Sequence, residues 1–421
     1  MEMQNRTIGS VCASVYSGGT PKSTVLDYYE GGTIPWLNTK EIDFNRIYKT
    51  ERFITQKGYD RSSAKWVPEN AVIVAMYGAT AAKVAITRIP LTTNQACCNL
   101  IIDENKADYR YVYYYLLKNY KRLASLANGG AQQNLNAGQI KDFAFIAPCL
   151  QEQRRIADIL STIDEKIETN DQINRELIDY IMTVFTSRFI FFDGCTNLEE
   201  SEFGVKPQSW DDGCFGDVIE KTIGGDWGKE KAEGKYVTEV YCIRGADIPE
   251  VKIGKKGKMP VRYILEKNYK TKRLKKEDLV VEISGGSPTQ STGRITAVPQ
   301  SLLERYDKDM ICTNFCRAIT PKQFYSFFVY AYWQYLYDKG RMFIYENGTT
   351  GIKNFDLNAF ITTEHIIIPP LREIIEFNRI VEPLYEKIYQ GGLENEHLLV
   401  MRDRILPGLI EGTVDYSNVQ L

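Results

Sequence analysis

An internal repeat limits more than any other feature how this chain can fold. Segments of the first half recur in the same order in the second half, at a distance of about 210 to 220 residues in a chain of 421. The matching segments include IGSVCASVYSGGT with FGDVIEKTIGGDW, IPWLNTKEI with VYCIRGADI, RFITQKGY with RYILEKNY, NAVIVAMYG with DLVVEISGG, and TTNQACCNL with CTNFCRAI. Each match is weak, but their shared order argues against chance. The sequence therefore predicts a pseudo-dimer within one chain.

Each half divides again, by pattern, into a compact module and a long helix. The module mixes short β-branched runs, Gly-rich turns and one tyrosine-rich stretch of helical length. The helix follows a proline, Pro148 in the first half and Pro370 in the second. The fold class predicted from this pattern is α+β, with two pseudo-symmetric mixed α/β modules separated by two long antiparallel coiled-coil helices.

Apolar residues along both predicted helices recur in alternating steps of four and three, which is typical of a coiled-coil seam. The predicted seam positions are Ile156, Leu160, Ile163, Ile167, Asn174 and Leu177 in the first helix, and Val381, Leu384, Ile388, Asn395 and Leu398 in the second. Asn174 and Asn395 are equivalent in the repeat. Polar residues in a seam can fix its register, or they can simply mark where pairing ends, and the sequence leaves both interpretations open.

Composition excludes several classes of protein. Nine cysteines, an odd number spread along the chain, indicate free thiols in a reducing compartment rather than a disulfide framework. The pairs Cys97 with Cys98 and Cys312 with Cys316 are better explained as buried thiols than as zinc ligands. Only two histidines are present, which excludes an HExxH metal site and an HNH-type nuclease. With no apolar run of about 20 residues, we expect a cytoplasmic protein that does not contact membranes.

At this point the sequence resembles a known family, the DNA specificity subunits of type I restriction-modification enzymes. The resemblance covers nearly the whole chain. It is carried by SGGTP and IPWLN near the start, by NGGAQQNLN from Asn128, and above all by APCLQEQRRIADILSTIDEKIE from Ala147. The second helix opens as PPLREII and has Ile374 where the first has Gln153, so transfer of single residues to the second half is weaker.

The resemblance implies a non-catalytic subunit that reads an asymmetric, bipartite site in double-stranded DNA. Its implied partners are two modification subunits, which use S-adenosylmethionine to methylate adenine, and restriction subunits, whose motor and nuclease activities use ATP and Mg. The setting is a prokaryotic cytoplasm, and this chain itself needs no cofactor. The implied domains are a first target-recognition domain, a first spacer helix, a second target-recognition domain and a second spacer helix, at residues 1–147, 148–200, 201–368 and 369–421.

Two other classes of function remain open from the residues alone. One is a duplicated protein-interaction scaffold that does not act on DNA, for which the net charge of −2 is an argument, since nucleic-acid-binding proteins usually carry a basic surplus. The other is a nuclease built on Asp247 and Glu250. The sequence contains neither a Gly-x-x-x-x-Gly-Lys-Ser/Thr loop nor a methyltransferase motif, and we therefore expect no motor or methylation chemistry in this chain.

Candidate DNA contacts are polar residues in loops where glycine allows close approach to a phosphate. Asn and Gln can pair with adenine, and Arg and Lys with guanine. Those of the first module are Thr20, Lys22, Ser23, Lys40, Tyr77, Lys83, Asn94, Gln95, Gln132, Gln133 and Asn134. Those of the second module are Lys221, Thr222, Lys229, Arg244, Ser287, Thr289, Gln290, Arg294, Asn314 and Lys353. Lys270, Lys272, Arg273 and Lys275 form a predicted contact with the DNA backbone, although each candidate alone could be an ordinary surface residue.

Overall fold

The computed structural model of the chain describes residues 2–127, 134–287, 290–348 and 353–415. The chain divides into two compact units. The first unit is Met1–Glu165 together with Leu398–Leu421, and the second is Lys166–His397. Within the described residues, no helix has the combination of length and apolar character needed to cross a membrane.

The first unit contains a five-stranded sheet of order β2-β10-β7-β8-β4, a four-stranded sheet of order β5-β3-β9-β6 and the ribbon β1-β11. Its strands are β1 Gln4–Thr7, β2 Cys12–Ser17, β3 Ile34–Leu37, β4 Asn45–Ile47, β5 Arg52–Ile54, β6 Trp66–Val67, β7 Val72–Ala75, β8 Val84–Thr87, β9 Leu91–Thr93, β10 Cys97–Ile102 and β11 Ala144–Ala147. Its short helices are α1 Gln56–Asp60, α2 Tyr109–Lys118, α3 Tyr120–Ala124 and α4 Ala137–Asp142.

The tyrosine-rich segment of the first half forms α2, as the sequence predicts, and most of this helix is buried in the core. The hydroxyl group of a buried tyrosine usually needs a hydrogen-bond partner. Tyr114 donates to Asp164 at 2.6 Å, and Arg402 pairs with the same carboxylate at 2.9 Å. Burial, with the nearby Asp164 carboxylate, raises the pKa of Tyr114 well above its ordinary value. The module of the first unit is thereby fixed to both long helices.

The second unit repeats this plan with sheets of order β15-β22-β18-β20 and β17-β16-β21, the ribbons β12-β13 and β14-β25, and the small sheet β19-β24-β23. Its strands are β12 Leu198–Ser201, β13 Gly204–Pro207, β14 Asp211–Cys214, β15 Ile219–Gly224, β16 Tyr236–Ile243, β17 Val261–Leu265, β18 Leu279–Glu282, β19 Ser284–Gly285, β20 Ile295–Ala297, β21 Met310–Cys312, β22 Cys316–Pro321, β23 Glu346–Asn347, β24 Lys353–Phe355 and β25 His365–Ile368. Its short helices are α6 Ile248–Lys252, α7 Glu266–Lys272, α8 Gln300–Leu303, α9 Ser326–Asp338 and α10 Leu357–Thr363.

Two long helices complete both units. We number α5 Leu150–Phe189 after α4, and α11 Leu371–Glu411 after α10. In the second unit the end of α5 packs against the start of α11, where the rings of Phe185 and Phe189 lie 6.2 and 5.1 Å from that of Phe377. In the first unit the start of α5 shares a core with the end of α11. The helices therefore run antiparallel, and the α+β fold class predicted from the sequence is confirmed.

Two asparagines of the predicted seam make hydrogen bonds across the helix pair in the second unit. Asn174 Nδ2 donates to the carbonyl oxygen of Ile388 at 2.9 Å, and Asn395 Nδ2 donates to that of Ile167 at 3.3 Å. These two bonds exchange under the repeat, because Asn174 corresponds to Asn395 and Ile167 to Ile388. Asn170 also donates to Asn395 Oδ1 at 2.9 Å. Pairing continues on both sides of Asn174, so this residue does not mark its end.

The other predicted seam residues show a graded burial. Ile156, Leu160, Val381 and Ile388 are fully buried, whereas Ile163, Ile167, Leu177, Leu384 and Leu398 are partly buried. Graded burial is expected because part of each long helix also packs against a module. The seam as a whole stays a prediction, with its centre held by polar rather than apolar contacts.

Candidate nucleic-acid interface

Backbone hydrogen bonds give the true correspondence between the two modules. In the first unit Asn94 N donates to Leu37 O at 3.0 Å, where β9 lies parallel to β3. In the second unit Thr313 N donates to Ile243 O at 3.0 Å, where β21 lies parallel to β16. Asn94 is therefore equivalent to Thr313, and the next residues, Gln95 and Asn314, are equivalent to each other. The alignment of the letters Thr-Asn in both halves is wrong by one residue.

In each unit a loop with two adjacent glycines lies against this segment, and we call it the glycine loop. The glycines are Gly18 and Gly19 in the first unit and Gly224 and Gly225 in the second. Gly19 N donates to Thr93 O at 2.8 Å, and a Cβ placed on Gly18 would lie 2.1 Å from that oxygen. In the second unit Asp226 N donates to Cys312 O at 2.9 Å, and a Cβ on Gly225 would lie 1.8 Å from Thr313 O. Contacts this short exclude any side chain. The glycines therefore serve close packing of two loops of the protein.

A third backbone segment lies beside these two in each unit, and we call the three segments together the loop edge. In the first unit Met76 N donates to Ala96 O at 2.8 Å, and the next residue, Tyr77, pairs with Asn134. In the second unit Ile283 N donates to Phe315 O at 2.9 Å, and Ser284 pairs with Asn354. We call Tyr77, Gln95 and Asn134 the first polar triplet, and Ser284, Asn314 and Asn354 the second polar triplet. Asn354 is absent from the sequence-based candidates, and only the corrected register of the repeat reveals it.

The predicted contacts as a whole are spread over both modules. Exposed residues are Thr20, Lys22, Ser23, Lys40, Tyr77, Gln95, Asn134, Lys221, Thr222, Lys229, Lys270, Arg273, Lys275, Gln290 and Asn314. Partly buried residues are Lys83, Arg244, Lys272, Ser287, Arg294 and Lys353, and Asn94 is buried. Gln132, Gln133 and Thr289 lie outside the described residues.

Several of these side chains are occupied within the protein. Arg294 makes a bidentate pair with the buried carboxylate of Glu282, at 2.8 and 2.6 Å. Asn94 Oδ1 accepts a hydrogen bond from Ala96 N at 3.1 Å and thereby shapes its own turn. Lys353 pairs with Glu346 at 2.8 Å. Such residues hold loops in place, which is a different role from presenting a free donor to a ligand.

The predicted basic patch extends from α7 into the loop that follows it. Lys270 is exposed and only 3.7 Å from Glu266, a weak pair on one helix face. Lys272 Nζ donates to Gly225 O at 2.7 Å and so supports the glycine loop. Arg273 lies over the ring of Tyr269 at 5.6 Å. Lys270, Arg273 and Lys275 are exposed, although Arg273 also pairs with Asp309 at 3.3 Å.

The geometry around Asp247 does not support a nuclease centre. Its carboxylate accepts hydrogen bonds from Arg244 N, Nε and Nη2 at 2.9 to 3.0 Å and from Lys258 N at 3.0 Å. Burial acts to raise the pKa of Asp247, but these bonds outweigh it and leave that pKa lowered. Among the described residues, no group of three or more His, Cys, Asp and Glu side chains could hold a metal ion.

The reactivity of the cysteine thiols can be predicted from their burial. Cys97, Cys98, Cys312 and Cys316 are buried, and burial raises the pKa of Cys98 and of Cys316 to about 12. Cys149 is exposed. Because the thiolate is the nucleophile, we expect iodoacetamide at pH 8 to label Cys149 in the folded chain and to spare these four. Peptide mass spectrometry checks this, and labelling of all four without denaturant would contradict it.

Comparison with known proteins finds similarity to one group of DNA-associated subunits. A family model described as the type I restriction modification DNA specificity domain matches residues 1–178. The chain is 25% identical over 409 residues to the MjaIX specificity subunit of Methanocaldococcus jannaschii, covering 94% of this chain and 90% of that one. It is 27% identical over 168 residues to the EcoR124I/EcoR124II specificity subunit of Escherichia coli, covering 39% and 41% of the two chains.

A solved structure shares the fold. The S subunit of a type I restriction-modification system from M. genitalium aligns with a TM-score of 0.54 at 19% sequence identity, covering 97% of this chain and 96% of that one. The family match, the similarity along almost the whole chain and the shared fold agree with the resemblance seen in the sequence. Residues 1–178 therefore match the type I restriction modification DNA specificity domain, and the chain is similar to a type I specificity subunit along 94% of its length.

Proposed function

We propose that this chain is the DNA sequence-specificity subunit of a type I restriction-modification complex and reads an asymmetric bipartite site. The observation that carries the proposal is the repeated loop edge, which has the same backbone frame in both units but different side chains. One frame bearing different side chains suits two half-sites of different sequence. Specificity subunits of this family are non-catalytic, and other subunits carry the catalytic activity.

The proposed partners follow from the similarity to type I specificity subunits. The chain would bind double-stranded DNA and position two modification subunits, which use S-adenosylmethionine to methylate adenine. Restriction subunits that use ATP and Mg would complete the complex. We retain residues 1–147 and 201–368 as the proposed recognition domains, and 148–200 and 369–421 as the proposed spacer segments, within which the helices are α5 Leu150–Phe189 and α11 Leu371–Glu411. The duplicated interaction scaffold is not favoured, because the similarity to specificity subunits extends over both halves.

Methylome sequencing of cells with and without the gene tests the proposal. We expect methylated adenines in one motif, made of two short specified blocks with a fixed unspecified spacer, and we expect this motif to disappear with the gene. The matched control restores the gene on a plasmid, which should restore the same motif. Identical methylomes in cells that express the modification subunit would overturn the proposal.

The basic patch provides a second test, in the salt dependence of DNA binding. We expect the combined variant Lys270→Ala, Arg273→Ala and Lys275→Ala to bind more weakly and with a shallower slope. Each lost phosphate contact lowers the slope of log K against log salt by about 0.9. Lys272 is left unchanged because it supports the glycine loop. The slope is measured with the reconstituted modification complex.

The control for this test keeps the charge. Lys270→Arg with Lys275→Arg should leave the slope unchanged, because both residues still neutralise phosphates. An unchanged slope in the alanine variant would show that this patch does not face the DNA backbone, even if sequence-specific methylation is intact.

A further inference from the structure

The two polar triplets combine features that belong to a reading surface. Each triplet draws its side chains from three backbone segments that are hydrogen-bonded neighbours. Tyr77 lies directly opposite Asn134, as Ser284 does opposite Asn354, and residues opposite each other in an antiparallel pair present their side chains on the same face. Both asparagines are exposed, and so are Gln95 and Asn314.

Each unit also places an exposed aromatic ring at this edge. Tyr77, within the first triplet, is 44% exposed, and Phe315, next to Asn314 of the second triplet, is 56% exposed. Neither position is required for packing at such exposure. Amide groups and an aromatic ring at one loop edge are the means by which proteins contact base edges and thymine methyl groups.

Neighbouring side chains hold the first triplet in position. The Thr20 hydroxyl donates to Gln95 Oε1, so the glycine loop orients the amide of Gln95. In the second unit the equivalent loop position is Trp227, whose ring stacks with the Arg262 guanidinium at 4.1 Å. Fixing side chains before binding reduces the entropy lost on binding. The equivalent loop positions, Thr20 and Trp227, therefore carry different side chains with different contacts in the two units.

We propose that the two polar triplets read base edges of the DNA, one triplet in each half of the recognition site. This inference rests on the proposed function. The asparagine common to both, Asn134 and Asn354, makes the same contact in each half-site, a bidentate pair with an adenine. The differing positions, Gln95 against Asn314 and Tyr77 against Ser284, make the two halves unlike.

Separate alanine substitutions test this assignment in the reconstituted complex of the full chain with its modification subunits. Methylation is measured on a DNA library in which every base of the site is varied. We expect Asn134→Ala and Asn354→Ala each to reduce discrimination at one adenine by about 10- to 100-fold, each in a different half-site. Because no charge is removed, the salt slope should not change.

Asn358→Ala is the matched control, since Asn358 is an exposed asparagine on α10 outside the triplet. It should leave discrimination unchanged at every position. Thermal unfolding of all three variants should match that of the original chain, because the residues replaced are exposed. Gln95→Asn should alter preference only in the half-site affected by Asn134→Ala.

The outcomes separate this inference from the proposed function. If the original complex shows no sequence preference, the proposed function itself fails. If it shows a bipartite preference that both asparagine variants retain, the triplets do not read bases and only this inference is overturned. A uniform loss of methylation at all sequences would also overturn it, since backbone contacts rather than base contacts would then be affected.

Discussion

Replacing Gly225 with alanine is expected to destabilise the second unit by about 3 kcal/mol, because overpacking of this kind forces backbone atoms apart. The added Cβ would lie 1.8 Å from Thr313 O and 2.6 Å from Cys312 O, and neither oxygen belongs to a flexible side chain. The glycine loop must then move away and lose the bond from Asp226 N to Cys312 O. A domain of this size should unfold about 6–12 °C lower, as measured by calorimetry.

Gly224→Ala provides the matched control at the preceding residue. A Cβ on Gly224 meets only the Arg317 guanidinium, at 3.5 Å and beyond, which is ordinary contact. This variant should therefore unfold near the temperature of the original chain. Equal effects of the two substitutions would show that close packing of Gly225 against Thr313 is not the cause of the lost stability.

The sequence predicted the architecture because the repeat extends through many elements. Apolar runs such as AVIVAM and LVVEIS became the central strands β7 and β18, and both tyrosine-rich stretches became buried helices. The one-residue error arose where two halves share the letters Thr-Asn. The amino-acid sequence does not show which backbone N–H donates to which carbonyl oxygen. A register shift of one residue moves every side chain of a strand to the opposite face.

The candidate site was predictable at the level of loops and much less so at the level of single residues. Lys272 and Arg294 read as free cations in the sequence, but their partners, Gly225 and Glu282, lie 47 and 12 residues away along the chain. Which charged residue finds an internal partner depends on the packed structure. Asn354 shows the opposite error, since its role depends on register, which the sequence alone did not give.

The helix pair shows the same limit in its polar centre. The repeat correctly made Asn174 and Asn395 equivalent, and their hydrogen bonds to Ile388 and Ile167 are equivalent too. The sequence did not indicate that Asn170 would donate to Asn395. The residue equivalent to Asn170 in the repeat is Gly391, which has no side chain. The hydrogen bond from Asn170 to Asn395 therefore has no symmetric counterpart. Side-chain hydrogen bonds of this kind follow from helix positions that only the folded chain defines.

Replacing Arg305 with alanine is the second change with a large expected effect. Its side chain is 2% exposed and donates to Gly254 O at 2.6 Å and to Glu396 Oε1 at 2.5 Å. Removing the guanidinium leaves a buried carbonyl and a partly buried carboxylate without their cation, at a cost of about 3 kcal/mol. We expect residues 248–256 to lose protection against hydrogen exchange, since Gly254 connects this segment to α11.

The partner substitution shows whether the ion pair causes this effect. Glu396→Gln keeps an acceptor for Arg305 and, because Glu396 is 31% exposed, should cost about 1 kcal/mol. The double variant should be more stable than the two single effects predict, because no unpaired carboxylate remains. Strictly additive losses would assign the effect to the bond with Gly254 O. That carbonyl lies 1.8 Å from where a Cβ on Gly392 would be, so the contact with α11 tolerates no side chain there.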